Sequence, residues 1–390
     1  MRQRLYTMGA LALLASVSAA CSSTTANSSS SVSTTQAPIA GNTVKLGVAE
    51  MLTGSSAFYG NAVLAGIKVG VANLNSEGGI LGKKVVLDVQ DNASSDAQTT
   101  TIMKKFAADS SIGAVIPPTY QPNFLAACAV ANSLDIPAVS AQSGPPPQTS
   151  NPGGWCSTMT TDPGTQISAT FKYLAAKGMK KFVMVYDSQN GYVAFQRPNI
   201  EAAAKAGGYN LQEVAVTTGQ SDYSPQISKI LSENPDAVFP FMVTEDAARF
   251  MQQARAQGYT NPFFDPVSQL TSTRLISLSG GAADGLLAAT PQSAANIPSF
   301  QAFLNEYKKV TGTALSDPTY TGFGYDAVNL IAKAMTQAHT TTNRAEIKAS
   351  ISSITSACFS ICFTNSGQGA FLAPHFYFDK LTSSGFVPVS

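Results

Sequence analysis

The chain has 390 residues, which favours two lobes over a single domain of the usual ~150 residues. Hydrophobic residues make up 44% of it and aromatic residues 9%, which excludes both an intrinsically disordered chain and a protein with many membrane spans. With 24 Lys and Arg against 23 Asp and Glu, no excess charge is available to bind a nucleic acid or an anionic bilayer.

Residues 1–20 have the features of a secretory signal peptide: two early arginines, a short apolar stretch and small residues before Cys21. The stretch falls short of the ~20 apolar residues that span a bilayer. A cysteine at this place resembles the lipobox of bacterial lipoproteins, whose thiol is acylated, although Ser18 stands where Leu or Val is usual. An ordinary signal peptide followed by an incidental cysteine stays open as the alternative.

Residues 21–43 are predicted to be a flexible linker that begins at a lipidated Cys21. Nearly all of them are Ser, Thr, Ala, Asn or Gln, which bury too little apolar surface to fold. A flexible chain of this length reaches roughly 25 Å. We therefore expect a globular body held to the membrane by its lipid anchor only.

Four further cysteines indicate disulfides, since an even number in an exported chain is typical of an oxidising compartment. Pairing the neighbours in sequence predicts Cys128–Cys156 and Cys358–Cys362. Four buried free thiols are the alternative. The two histidines lie far apart and beside no acidic partner, so neither a metal site nor a cofactor is predicted.

The body of the chain alternates between strand and helix patterns. Strands are predicted at 44–49, 85–89, 113–116 and 136–140, with helices at 63–74, 96–109 and 124–134 between them. After an irregular stretch the pattern resumes with helices at 166–176, 197–206, 224–232 and 247–257, and with strands at 181–186, 211–216, 237–242 and 285–289. Helices at 299–310, 324–338 and 344–354 follow.

This alternation predicts an α/β protein with two doubly wound lobes, each built on a parallel central sheet. Ligands of such sheets bind at the carboxyl ends of the strands, so a small molecule would be enclosed in the cleft between the lobes by a hinge motion.

Recognisable catalytic motifs are absent from the sequence. It contains no G-x-S-x-G elbow, H-E-x-x-H motif or Walker A loop, and neither histidine stands in a recognisable arrangement with a nucleophile. We therefore predict a binding protein and not an enzyme, with an extracytoplasmic enzyme as the less favoured alternative.

A series of short segments, in order and spacing, carries a family resemblance. These are residues 44–49, 52–54, 59–60, 65–66, 73–83, 91, 253–258 and 325–328, of which the run Asn-Leu-Asn-Ser-Glu-Gly-Gly-Ile-Leu-Gly-Lys is the most specific. Together they resemble the Leu-Ile-Val-binding family, solute-binding proteins of ABC importers with the type I periplasmic-binding fold. The resemblance implies three crossings between the lobes. Lobe 1 would comprise residues 44–162 and 291–357, and lobe 2 residues 163–290 and 358–390.

The resemblance also implies ligand-binding residues in the cleft. Tyr59 matches a tyrosine of the first loop, and Thr119 and Tyr120 are the remaining candidates in a loop whose prolines lack N–H groups. Completing the predicted set are Gln142 and Ser143 on the next loop of lobe 1 and Tyr192 in lobe 2.

The expected partner for a ligand ammonium group is missing. Val267 stands where amino-acid binders of the family carry a glutamate. A buried ammonium needs an anionic partner. Either Asp265 or Glu245 therefore takes over this role, or the ligand is not an α-amino acid, which we favour.

These observations predict an extracytoplasmic lipoprotein, a monomer, that binds an amino acid or a related amide, aromatic or carboxylate compound. It would deliver this solute to an ABC transporter permease at the outer face of the bacterial cell membrane. A sensor of the same fold that acts on a signalling partner is the alternative.

Overall fold

The computed structural model describes residues 42–293, 296–383 and 385–389. The predicted signal peptide, Cys21 and nearly all of the linker lie outside them. The strands in the described part are β1 (Thr43–Glu50), β2 (Lys84–Asp91), β3 (Ile112–Ile116), β4 (Ala138–Ala141), β5 (Cys156–Thr161), β6 (Lys181–Asp187), β7 (Asn210–Val216), β8 (Ala237–Phe241), β9 (Phe264–Asp265), β10 (Leu287–Thr290), β11 (Ser356–Cys358), β12 (Cys362–Asn365), β13 (Ala370–Ala373), β14 (Tyr377–Thr382) and β15 (Gly385–Pro388).

The helices of the described residues fall between these strands. They are α1 (Ala57–Ser76), α2 (Asp96–Ala108), α3 (Gln121–Ser133), α4 (Pro163–Ala176), α5 (Gly191–Gly207), α6 (Ser224–Glu233), α7 (Thr244–Ala256), α8 (Arg274–Leu278), α9 (Pro298–Thr311), α10 (Pro318–Gln337) and α11 (Arg344–Ser353), with a short 3-10 helix at Gln148–Ser150. The alternation predicted from hydrophobic periodicity is therefore confirmed.

The first sheet has eight strands in the order β11-β12-β13-β5-β4-β3-β1-β2. The strands from β13 to β2 run parallel to one another, and β11 and β12 add an antiparallel hairpin at one edge. All five residues of β3 are buried. This continuous burial is typical of a parallel strand covered by helices on both faces.

The second sheet system consists of two sheets. One has the parallel order β7-β6-β8, and the other has the order β15-β14-β10-β9, with β9 and β10 parallel. A bridge between Val238 and Phe263 joins them. Each sheet system contains parallel strands connected by helices, which confirms the predicted fold class.

The chain passes between the two sheet systems three times, after β5, after β10 and after β13. The boundaries predicted from the sequence place residues 358–390 in lobe 2. However, β12 and β13 pair in the first sheet, and only β14 and β15 pair in the second system. The reason is that β13 extends the parallel ladder along β5, so the last crossing falls between Ala373 and Tyr377.

Helices α1 and α10 approach each other through glycine. A Cβ atom at Gly66 would lie 1.8 Å from the Thr321 carbonyl oxygen, and one at Gly324 would lie 2.1 Å from the Val63 carbonyl oxygen. Only glycine permits such close backbone contact. Helix α10, the second helix after the second crossing, is thereby fixed to the first helix of the described chain.

Both predicted disulfides are present, Cys128–Cys156 and Cys358–Cys362, with Cα atoms 5.6 and 3.9 Å apart. The first ties α3 to the start of β5, and the second closes the turn of the β11–β12 hairpin. No helix within the described residues is long and apolar enough to cross a membrane.

Candidate ligand-binding site

A cavity of about 190 Å³ lies where the carboxyl ends of the parallel strands of both sheet systems face each other. Loops after β1, β3 and β4 form one side, and loops after β6, β7, β8 and β9 form the other. The start of α10 closes the wall. The cavity lies at the carboxyl ends of the strands, where ligands of open parallel sheets bind, and its volume suits a small solute.

Six of the eight predicted ligand residues line this cavity: Tyr59, Thr119, Tyr120, Gln142, Ser143 and Tyr192. The described residues that line it without having been predicted are Met51, Ser55, Ser56, Gln121, Gly144, Gln189, Asn190, Thr218, Val243, Gln269 and Tyr320.

The remaining two candidates, Glu245 and Asp265, do not line the cavity. Glu245 lies on the first turn of α7, is about half exposed, and pairs with Arg274 at 3.2 Å. Asp265 is buried, and its carboxylate accepts hydrogen bonds from the backbone N–H groups of Val267 and Leu270 at 3.0 and 2.6 Å. Each acid has a structural partner, so neither is placed to receive a ligand ammonium group.

The loops after β3 and β4 are hydrogen-bonded to each other. The hydroxyl of Ser143 donates to the Thr119 carbonyl at 2.7 Å, and the Ser143 N–H donates to Thr158 Oγ1 at 3.1 Å. Gln142 has a φ of 59°, a left-handed conformation that is uncommon outside glycine. Strained backbone of this kind is often found at binding sites.

Buried carboxylates lie behind the cavity and organise its loops. Glu50, which is 0% exposed, accepts from the N–H groups of Met51 and Thr119 at 3.4 and 3.3 Å. On the other side, Asp187 accepts from the Gln189 N–H at 2.9 Å and from the Thr218 hydroxyl at 2.6 Å. Burial raises the pKa of Glu50 well above its ordinary value. These acids therefore support the walls of the cavity without entering it.

Several polar atoms of the wall lack a hydrogen-bond partner although they are buried. They belong to Tyr59 (Oη), Thr119 (Oγ1), Gln121 (Oε1), Gln142 (Oε1) and Gln269 (Oε1). An unpaired buried polar group costs about 1–3 kcal/mol. A cluster of such atoms around one cavity marks the surface that a polar ligand would satisfy.

Aromatic rings form the rest of the wall. The rings of Tyr59 and Tyr320 have centroids 4.8 Å apart, and the ring of Tyr192 packs edge-on against Phe241. Burial raises the pKa of Tyr59 to about 12, although Thr244 and Gln269 beside its hydroxyl act in the opposite direction. The tyrosines are therefore neutral hydroxyls near pH 7.

Sequence reasoning missed Tyr320 and Gln269 for identifiable reasons. Tyr320 lies on the first turn of α10, after the second crossing, so it is distant in sequence from every other cavity residue. Gln269 follows β9, which has only two residues and gives no strand pattern. Asp317 and Pro318, a capping residue followed by a proline in the first turn, are the local sequence signs of the start of α10.

Comparison with known proteins identifies the family to which this fold belongs. The family model described as periplasmic binding protein matches residues 43–368. The chain belongs to this family. The predicted resemblance to Leu-Ile-Val-binding proteins is thus confirmed, as is the prediction of a binding protein and not an enzyme. The family assignment also places this periplasmic binding protein outside the cytoplasm.

Among its relatives is the Leu/Ile/Val-binding protein of Citrobacter freundii, 23% identical over 269 residues that cover 68% of this chain and 72% of the relative. Solved structures that share the fold include the following two. A leucine binding protein of Thermotoga maritima has a TM-score of 0.76 at 21% identity, covering 89% of this chain and 98% of its own. A branched-chain amino acid transporter substrate binding protein of Streptococcus pneumoniae, solved with isoleucine, has a TM-score of 0.76 at 21% identity, covering 88% and 97%.

Proposed function

We propose that this periplasmic binding protein encloses a small organic solute in the cavity by hinge closure and delivers it to the permease of an ABC importer. The ligand is an amino acid or a related amide, aromatic or carboxylate compound, and an acylated Cys21 holds the protein at the membrane. Relatives named for leucine, isoleucine and valine binding support the transport role. The predicted residues from Tyr59 to Tyr192 that line the cavity are proposed as ligand contacts.

The observation that carries this proposal is the cluster of unpartnered polar atoms shared by both sides of one cavity. Thr119 and Gln142 contribute from the loops of the first sheet, and Gln269 contributes from a loop of the second system. A ligand that satisfies all of them has to contact both sides. Its binding therefore favours the closed arrangement, since a ligand shifts a conformational equilibrium through its different affinity for the two states.

Binding and closure can be measured on the purified chain with Cys21 replaced by Ser. A panel of amino acids, amides and aromatic acids should contain a compound that raises the melting temperature and reduces the radius of gyration in X-ray scattering. Gln142→Ala should lower the affinity for that compound at least about fivefold, which corresponds to the free energy of one hydrogen bond. The matched change Gln148→Ala, at an exposed glutamine outside the cavity, should leave affinity unchanged.

A panel that produces neither stabilisation nor compaction would contradict solute binding. Delivery is tested separately by uptake of the identified compound in a deletion strain, because intact uptake would contradict a transport role. For the anchor, mass spectrometry of the mature protein should find acyl groups on an N-terminal Cys21, and a mature chain that begins elsewhere would reject lipidation.

A further inference from the structure

The described wall of the cavity carries no carboxylate, ammonium, guanidinium or imidazole group. Among the described residues that line it, none is Asp, Glu, Lys, Arg or His. Buried acids that lie close to lining residues in the chain include Glu50, Asp187, Asp265 and Asp317, and each accepts a hydrogen bond from a backbone N–H group, although one oxygen of Glu50 and one of Asp317 has no partner. None of these four lines the cavity, so a charged group on an enclosed ligand would find no oppositely charged side chain in the wall.

Both charged groups of a zwitterionic ligand lack an oppositely charged partner in this cavity. Its ammonium lacks a carboxylate, and its carboxylate lacks a cation. Backbone N–H groups are an alternative for the carboxylate, but three in the loops of the first sheet are already occupied. The N–H of Thr119 donates to Glu50 at 3.3 Å, that of Gln142 to the Met159 carbonyl at 2.7 Å, and that of Ser143 to Thr158 at 3.1 Å. Burying an unpaired ion is far more costly than burying a neutral polar group.

The unpartnered atoms specify the hydrogen bonds that a ligand has to supply. The amide oxygens of Gln121, Gln142 and Gln269 are acceptors only, so each calls for an N–H or O–H donor. The hydroxyls of Tyr59 and Thr119 can donate or accept. A planar group with two N–H donors and one acceptor oxygen can pair with two of these amide oxygens and accept from one of the hydroxyls.

Apolar surface in the same cavity indicates what the donor group is attached to. The tilted rings of Tyr59 and Tyr320 stand 4.8 Å apart, and Met51 and Val243 also line the wall. Such a surface accommodates an aromatic ring or a branched alkyl group.

We propose that the cavity selects an uncharged primary carboxamide with an aromatic or branched alkyl body, in preference to an amino acid, an acid or an amine. The inference rests on the proposed function, because it assumes that this cavity is where the solute is enclosed. It narrows the ligand from four chemical classes to one.

The test is calorimetric titration with matched series of compounds. Within each series the apolar body is kept and the polar group is varied between a neutral amide and charged groups. The first series is benzamide, benzoate and benzylamine, and the second is 4-methylpentanamide, 4-methylpentanoate and leucine. In each, the amide should bind at least about tenfold more tightly than its charged counterparts, since an unpaired buried charge costs more than 1.4 kcal/mol. Equal or tighter binding of the acid, the amine or leucine overturns the inference.

Charge-introducing variants give a second readout. Gln269→Glu should lower the affinity for the amide and raise the affinity for benzylamine, because a carboxylate then faces the ligand. Gln142→Glu should do the same from the other side of the cavity, which covers the case in which one variant does not fold. Gln252→Glu, an exposed position on the same protein, is the matched control and should change neither affinity. Variants that leave the preference unchanged overturn the inference.

Failure of the inference is distinguishable from failure of the proposed function. If leucine or benzoate binds best and compacts the protein, the solute-binding function stands and only the carboxamide class is rejected. Should none of these compounds bind, native mass spectrometry of the protein from its own cells decides: a neutral amide retained in the cleft supports the inference, and a charged solute overturns it. No binding to any solute contradicts the proposed function itself.

Discussion

The side chain of Tyr59 lowers the stability of the unliganded protein and can raise the affinity for a ligand. Its ring is packed against Tyr320, but its buried hydroxyl makes no hydrogen bond of ordinary geometry. Thr119 and three glutamines of the cavity also have a buried side-chain oxygen without a hydrogen-bond partner. These atoms destabilise the unliganded fold, and a ligand that pairs with them recovers that free energy as affinity.

Tyr59→Phe should therefore separate stability from binding. Removal of an unpaired buried hydroxyl is expected to leave the melting temperature unchanged or slightly raised, while affinity for the solute falls about fivefold or more. The control is Tyr259→Phe, which removes a hydroxyl that donates to the Pro262 carbonyl at 3.0 Å outside the cavity. That variant should lose about 1 kcal/mol of folding free energy and keep its affinity. The opposite pattern, with Tyr59→Phe less stable and equally tight, would show that the hydroxyl is structural.

At the residue level, the sequence placed at the cavity those residues that follow a recognisable strand, as for Thr119, Gln142 and Tyr192, and their contact with a ligand stays a prediction. The sequence was less informative for Glu245 and Asp265. A sequence shows that an acid lies near the cleft, but it does not show that Asp265 is turned toward the N–H groups of its own loop. Such assignments depend on backbone direction over a few residues, which carries no sequence pattern of its own.

At the scale of elements, the hydrophobic strands and amphipathic helices could be predicted, whereas β5 could not. This strand reads Cys-Ser-Thr-Met-Thr-Thr, yet all six residues are buried between β4 and β13. The hydroxyls make the burial possible, because Thr158 exchanges hydrogen bonds with both the N–H and the carbonyl of Ser143. A polar strand inside a sheet has no apolar alternation to reveal it.

Helix α10 begins at a carboxylate whose burial affects stability. Asp317 caps the helix by accepting from the Tyr320 N–H at 3.1 Å, while its second oxygen is buried without a partner. Burial raises the pKa of this group to about 7 from its ordinary 3.8. The folded state thus holds the proton more tightly than the unfolded chain does. Its contribution to stability is complete below pH ~3.8 and is lost as the pH rises through about 7.

Asp317→Asn should flatten this dependence. The amide keeps an oxygen for the Tyr320 N–H and has no proton to lose, so the variant should melt at a higher temperature than the parent at pH 8 and differ less at pH 5. Thermal denaturation from pH 5 to pH 8 measures the effect. Asp162→Asn, at the exposed cap of α4, is the control and should reproduce the parent profile. A variant that loses stability equally at all pH values would contradict the titration argument.

For the molecule as a whole, a contact between α8 and α1 joins the sides of the two sheet systems. Arg274 on α8 lies with its guanidinium 5.5 Å from the ring centroid of Phe58 on α1, and it also pairs with Glu245 at 3.2 Å. Glu245, expected from the family resemblance as a candidate ammonium partner, instead positions this arginine. The contact exists only while the two sides are together, so it favours the closed arrangement.

Arg274→Ala should accelerate release of the bound solute about twofold to fivefold, the effect of one exposed cation–π contact, with little change in the association rate. Stopped-flow fluorescence follows both rates. Lys309→Ala removes a comparably exposed ion pair with Glu306 on α9 and should leave both rates unchanged. An unaltered dissociation rate in Arg274→Ala would show that the contact between Arg274 and Phe58 does not contribute to retention of the solute.

The glycine contact between α1 and α10 has a consequence for how a solute is captured. Because the two backbones touch at Gly66 and Gly324, the rings of Tyr59 and Tyr320 are parts of one stiff body even though 260 positions separate them in the sequence. An arriving molecule thus meets a prebuilt aromatic platform that loses little freedom on contact. Encounter should be fast for many compounds, and discrimination between them should appear in their residence times.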